Sequence, residues 1–155
     1  MPTTGGSHQL DLQSFFPYRL ALLAEAVSAA VSQIYARRFD LTRPEWRILA
    51  VLGSSGSTTA KDVGQLTTLD KMQVSRALQR MERRSLIVRN KDEGDRRNRI
   101  VELTSAGRAL YDRIVPLALA REKAILSGLE REQMAALDKI ISELLARSRT
   151  LREQG

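Results

Sequence analysis

The stretch from Asp70 to Leu103 constrains the fold of this chain more than any other part of it. Asp70 is followed three residues later by Gln73, the spacing of a helix N-cap and its reciprocal partner. Val74, Ala77, Leu78 and Met81 then recur at three- and four-residue intervals, which predicts one apolar helix face. That helix must stop near Arg84-Ser85, because Leu86-Ile87-Val88 is an apolar run of strand type. A polar turn from Asn90 to Arg97, with Gly94 inside it, leads to a second such run, Ile100 to Leu103. A capped helix feeding directly into a two-stranded hairpin leaves few folds open.

The same stretch holds most of the excess charge. The chain has 155 residues and a formal charge of +7. Between Lys71 and Arg99 stand ten basic and four acidic residues, so +6 lies within these 29 positions and the rest is nearly neutral. A solvated surface usually mixes signs, whereas concentrated positive charge on one helix and one hairpin is the footprint of a nucleic-acid face. If Val74, Leu78 and Met81 point inward, Gln73, Ser75, Arg76, Gln79, Arg80 and Arg83 look outward. Arginine suits guanine and glutamine suits adenine, while serine and lysine, here Ser75 and Lys71, suit phosphates.

Other chemistries are removed by what the chain lacks. It has no cysteine, which excludes a disulfide framework, a cysteine-ligated zinc and a thiol switch. Its single histidine, His8, leaves no material for a histidine general base or a multi-histidine metal site. The acids Glu82, Asp92, Glu93 and Asp95 are spread over a helix face and a hairpin, so neither an enzyme nor a cofactor is expected. The longest uncharged run, Ile48 to Ala60, is 13 residues rich in Gly, Ser and Thr, well short of the ~20 apolar residues of a membrane helix. No membrane association is expected, and the location read from this is cytoplasmic, on the nucleoid when DNA is bound.

Around that centre the chain reads as helices. Residues 1–13 are expected to be a flexible arm. Phe16, Leu20, Leu23, Val27, Ala30 and Ile34 predict a long helix over Pro17–Arg38. Thr42 caps a second helix with Glu45 as its capping-box partner and Pro44 in the first turn; Trp46, Leu49 and Leu52 share its face, and Gly53 and Gly56 end it. Thr59 starts a short third helix with Val63 and Leu66 inward. Beyond the hairpin, Thr104 opens a helix carrying Leu110, Ile114 and Leu117, and Ser127-Gly128 breaks it. A last helix over Arg131–Arg149 aligns Met134, Leu137, Ile141 and Leu144. The fold class is therefore mainly α with a small β-wing. A winged helix-turn-helix domain over 41–104 is flanked by long helices over 14–40 and 105–155. Their apolar faces either meet a second copy or fold back within the monomer, and their length favours the second copy.

Three segments carry a family resemblance: Leu41 to Leu49 (LTRPEWRIL), Leu69 to Ile87 (LDKMQVSRALQRMERRSLI) and Asp95 to Thr104 (DRRNRIVELT). On these the chain resembles the MarR family of bacterial winged helix-turn-helix regulators over about 14–150. Ser85 departs from the family pattern, which has glycine there; a left-handed backbone at Ser85 costs ~1 kcal/mol. The resemblance implies a homodimer built from the first and the last two helices. It implies that Arg97 enters the minor groove, that Asp95 braces it or a neighbouring arginine of the recognition helix, and that Arg96 and Arg99 touch phosphates or solvent. It also implies a repressor relieved by a small phenol or aromatic carboxylate. Candidate pocket residues are Tyr18, Arg19, Tyr35, Arg38, Trp46 and Arg47, with plain packing as the other role for the aromatics. The partner is double-stranded DNA, as a pseudo-palindromic operator with half-sites ~10 bp apart. A non-specific architectural DNA-binding protein is the alternative.

Overall fold

The computed structural model describes residues 8–91 and 99–155. Asp95, Arg96 and Arg97 therefore lie outside the described residues. In order along the chain come α1 (Phe16–Phe39), α2 (Arg43–Ser55), β1 (Thr58–Thr59), α3 (Ala60–Thr67), α4 (Lys71–Arg83), β2 (Ile87–Lys91), β3 (Arg99–Leu103), α5 (Ser105–Leu126) and α6 (Arg131–Gln154). The mainly helical fold with a small wing is thus present. The chain divides into two compact units, Met1–Leu119 and Ala120–Gly155.

In the first unit, each short helix starts on a side-chain cap. Thr42 accepts from the Glu45 amide, Thr59 from the Asp62 amide and Asp70 from the Gln73 amide, satisfying N–H groups that a helix start leaves free. The buried core draws Ile48, Leu49 and Leu52 from α2, Val63 from α3, and Val74, Ala77, Leu78 and Met81 from α4. Ile87, Val101 and Ile114 close it from the strands and α5.

Several details differ from the sequence reading. The hairpin gains a third strand: β1 pairs antiparallel with β3, Thr58 opposite Val101, giving the order β1-β3-β2. Leu66 is exposed, and Thr67 takes the inward place. Val63 and Thr67 are four residues apart on one face, and the Thr67 hydroxyl donates back to the Val63 carbonyl, which makes its burial tolerable. Gly53 does not end α2, which runs on to Ser55 with Gly56 as its cap at φ 79°. Gly53 instead makes room for α5, since a side chain there would collide with the Tyr111 ring.

The root of the wing is tied at one threonine. The Thr104 amide donates to the Leu86 carbonyl (3.0 Å). Its hydroxyl donates to the Ser85 carbonyl (2.6 Å) and accepts from the Gly107 amide (3.0 Å). Ser85 adopts the left-handed conformation that the family resemblance implied, φ 58°. There α4 stops, with the Ser85 amide donating to the Glu82 carbonyl and the Leu86 amide to that of Met81.

The second unit contains the end of α5 and all of α6. α6 opens on a capping box between Glu130 and Gln133, and none of its residues is buried within the single chain.

Candidate nucleic-acid interface

The site is built around α4. Its first turn is closed by a reciprocal pair: the Gln73 amide donates to Asp70 Oδ1 (2.8 Å), and the Asp70 amide donates to Gln73 Oε1 (3.2 Å). The carbonyl of the Gln73 side chain is therefore occupied. Bidentate recognition of adenine needs both ends of that amide, so Gln73 reads a base edge in that way only by opening its own cap. Lys71, Ser75, Arg76 and Gln79 remain exposed along the helix.

At its other end α4 is clasped to the body of the domain. Glu45, only 1% exposed, faces Arg80 Nη1 at 3.0 Å and Arg84 Nη1 at 3.5 Å. The Thr42 hydroxyl donates to the same carboxylate, at Oε1 (3.0 Å). Glu45 thus turns inward to the arginines instead of reaching back to the Thr42 amide as a capping-box partner. Arg80 Nη2 also meets Asp40 Oδ2 at 3.2 Å, and Arg84 donates to the carbonyls of Asp40 (2.6 Å) and Phe39 (3.1 Å). The last turn of α4 is fixed to the junction of α1 and α2. Arg80, expected to face DNA, is placed on these acids.

The wing is tied to α4 by an ion pair, Arg89 Nε to Glu82 Oε2 at 3.2 Å. Between α3, α4 and the two long strands lies a cleft of about 670 Å³. Leu69, Val74 and Leu78 form its apolar floor, and Lys61, Lys71, Arg89 and Arg99 are among its lining residues. Arg99 is thereby brought beside the start of α4, while Asp95, Arg96 and Arg97 fall outside the described residues.

A second, smaller hollow of about 150 Å³ lies between α1 and α2, lined by Val27, Ser28, Val31, Tyr35, Arg43, Trp46 and Arg47. Tyr35 stacks on Trp46, with ring centroids 5.4 Å apart and planes at 21°. Arg43 forks onto Glu25 through two hydrogen bonds of 2.8 and 2.9 Å. That guanidinium holds the Glu25 carboxyl below its ordinary pKa. Burial pushes the Tyr35 hydroxyl up, against a pull downward from Arg43 and Arg47. Of the expected pocket residues, Tyr35, Trp46 and Arg47 line the hollow. Tyr18 and Arg19 are exposed near the start of α1, and Arg38 lies over the Phe39 ring at 5.4 Å. Among the described residues no group of three or more His, Cys, Asp or Glu is placed to hold a metal ion.

A family model of the MarR family matches residues 39–98. The chain is 30% identical over 126 residues to the homoprotocatechuate degradative operon repressor of Escherichia coli, covering 80% of this chain and 85% of that one. The chain belongs to the MarR family.

Solved structures agree with that membership. A MarR/EmrR family transcriptional regulator from Acinetobacter sp. ADP1 superposes with a TM-score of 0.82 at 26% identity, over 91% of this chain and 99% of that one. NadR in complex with 4-hydroxyphenylacetate does so with a TM-score of 0.72 at 28% identity, over 93% and 97%. As a MarR-family member the chain is a DNA-binding transcriptional regulator and not an enzyme. No described helix is long and apolar enough to cross a membrane. Within this MarR fold, sequence reasoning missed Glu45, Arg84 and Asp40 as the clasp, and Glu25 and Arg43 at the hollow. Glu45 stood in the sequence as a cap residue, and no local pattern links it to Arg80, 35 positions on.

Proposed function

We propose that this chain is a homodimeric repressor that reads a pseudo-palindromic duplex operator and lets go of it when a small phenol or aromatic carboxylate binds. The observation that carries the reading is α4 itself. It is locked at both ends by the chain's own groups and still presents Lys71, Ser75, Arg76 and Gln79 to solvent. A rigid, cationic helix is what the major groove accepts, with residues 41–104 as the reading domain. Asp95, Arg96, Arg97 and Arg99 supply the wing, Arg97 into the minor groove, where negative potential is strongest.

Dimerisation through 14–40 and 105–155 is supported by the large apolar side chains these helices leave in water. Phe16, Leu20 and Leu23 of α1 and Ile140, Ile141 and Leu145 of α6 are each about half exposed or more. The effector reading is supported by the hollow, where a stacked Tyr35–Trp46 pair stands beside Arg43 and Arg47. It is supported also by the similar NadR having been solved with 4-hydroxyphenylacetate. The protein works in the cytoplasm.

The test is selection of bound sequences from random duplexes, followed by mobility shifts with competitor DNA. A recurring inverted-repeat site, bound well above random DNA and released by 4-hydroxyphenylacetate or a related phenol, bears the proposal out. Equal binding of selected and random duplexes at moderate salt overturns it in favour of an architectural binder. Arg97→Ala lowers affinity and reduces the salt slope by about one unit; an unchanged slope removes Arg97 from the interface.

A further inference from the structure

Successive residues of an α-helix are ~100° apart around its axis. Positions 72, 75, 76, 79 and 83 of α4 therefore form one stripe, and Val74, Ala77, Leu78 and Met81 lie on the opposite side, buried in the core. Four members of the outer stripe are polar: Ser75, Arg76, Gln79 and Arg83. The fifth, Met72, is apolar and 64% exposed. It stands in the first turn, the part of a recognition helix that comes closest to base edges.

Nothing in the fold of α4 accounts for a large apolar side chain there. The core face is complete without it, and the cap is made by Asp70 and Gln73. The expected readers on the stripe's flanks are engaged elsewhere, Gln73 through its carbonyl and Arg80 through Glu45 and Asp40. The free readers near the head of the helix are therefore Met72, Ser75 and Arg76.

We propose that Met72 determines specificity by recognising the 5-methyl group of a thymine in each half-site. This deepens the operator reading above and rests on it. Among the four bases, thymine alone offers an apolar group in the major groove. A methionine thioether, unbranched and able to rotate about three bonds, moulds to such a group, and the contact removes apolar surface of both partners from water. Arg76 and Gln79 read hydrogen-bonding edges instead.

The experiment uses the full chain and the duplex it selects from a random pool. Each thymine of the half-site is replaced in turn by deoxyuridine, which differs only in lacking that methyl. Affinities are measured for the unaltered protein, Met72→Ala and Met72→Leu. At one thymine the unaltered protein loses about fourfold in affinity per half-site, the worth of one buried methyl-sized group. Met72→Ala binds the thymine and uracil duplexes equally there, and Met72→Leu keeps most of the discrimination. The inference is overturned if the protein binds its selected duplex tightly but ignores every replacement, or if Met72→Ala remains as sensitive as the unaltered protein. If no sequence is selected at all, the operator reading fails and takes this inference with it. Because Met72 is exposed and caps nothing, both variants fold.

Discussion

Helices α4 and α6 are both amphipathic and both open on a capping box, yet they treat their apolar residues in opposite ways. In α4, Val74, Ala77, Leu78 and Met81 are buried by the chain's own α2, α3 and strands, and only Met72 is left outside. In α6 nothing is buried, and Ile140, Ile141, Leu145 and Leu151 lie in water. Both helices start on a capping box, so the presence of such a start does not make the difference. It arises from what the rest of the chain can cover. Reading DNA needs a helix held firmly from behind, so α4 has its back filled and its last turn clasped. The proposed dimer needs a face left unfilled, and α6 keeps one, as α1 does.

The contrast can be broken most sharply at α6. Ile141→Asp places a charge on its apolar face in both copies of the proposed dimer. With ~2 kcal/mol lost per buried side chain, the dimer weakens by ~10³-fold. Sedimentation at micromolar concentration then reports monomer, and an intact dimer removes α6 from the interface. Next comes the back of α4. Replacing Arg80 and Arg84 together by alanine leaves the buried Glu45 carboxylate uncompensated and costs ~3 kcal/mol. Urea midpoints measure this, and an unchanged midpoint would mean that the clasp does not hold the helix. A smaller effect belongs to the front of α4. Arg76→Ala weakens binding to the selected operator by about tenfold, within the ~1–3 kcal/mol of a good base contact, and leaves the urea midpoint where it was.

The smallest effects are in the pH dependence around the α1–α2 hollow. Arg43 holds the Glu25 carboxyl below the ordinary 4.5, so its contribution is present above that value and is lost as pH falls through the lower folded value. Glu25 is exposed, so the effect is modest and fades with salt; Glu25→Gln flattens the acid limb of the stability curve. Tyr35 has the opposite sign. Burial lifts its hydroxyl above the ordinary 10.0, so its contribution is present below that value and is lost as pH climbs through the folded value. Tyr35→Phe flattens the alkaline limb, measured again by urea midpoints.

Features written within a few consecutive residues were legible in the sequence. The caps at Thr42, Thr59 and Asp70 and the core face of α4 follow from spacings of three or four residues, while the left-handed Ser85 was implied by the family resemblance. What escaped depends on distance or on a choice between equal local options. β1 is two threonines with no apolar pattern, made a strand only by its pairing with β3. Leu66 and Thr67 compete for one inward position, and the helix phase set by Val63 decides for the threonine. Gly53 reads as a stop until Tyr111, far along the chain, is brought against it. Glu45 looks like a cap residue until the fold brings it to Arg80 and Arg84. At the candidate site the outward polar residues and the reciprocal Asp70–Gln73 cap were visible, but the engagement of Arg80 was not, because its partners Asp40 and Glu45 stand 40 and 35 positions back along the chain.

The knot of bonds at Thr104 bears on how such a regulator changes over time. By holding Ser85 and Leu86 on one side and Gly107 on the other, it closes the whole hairpin into a loop fastened at its base. The entropy of closing a loop grows slowly with its length, by ~0.6 kcal/mol for each doubling. A change in the number of residues between β2 and β3 therefore adds little to the cost of closing that loop. Length between β2 and β3 is thus an inexpensive variable, so long as the threonine at the base stays.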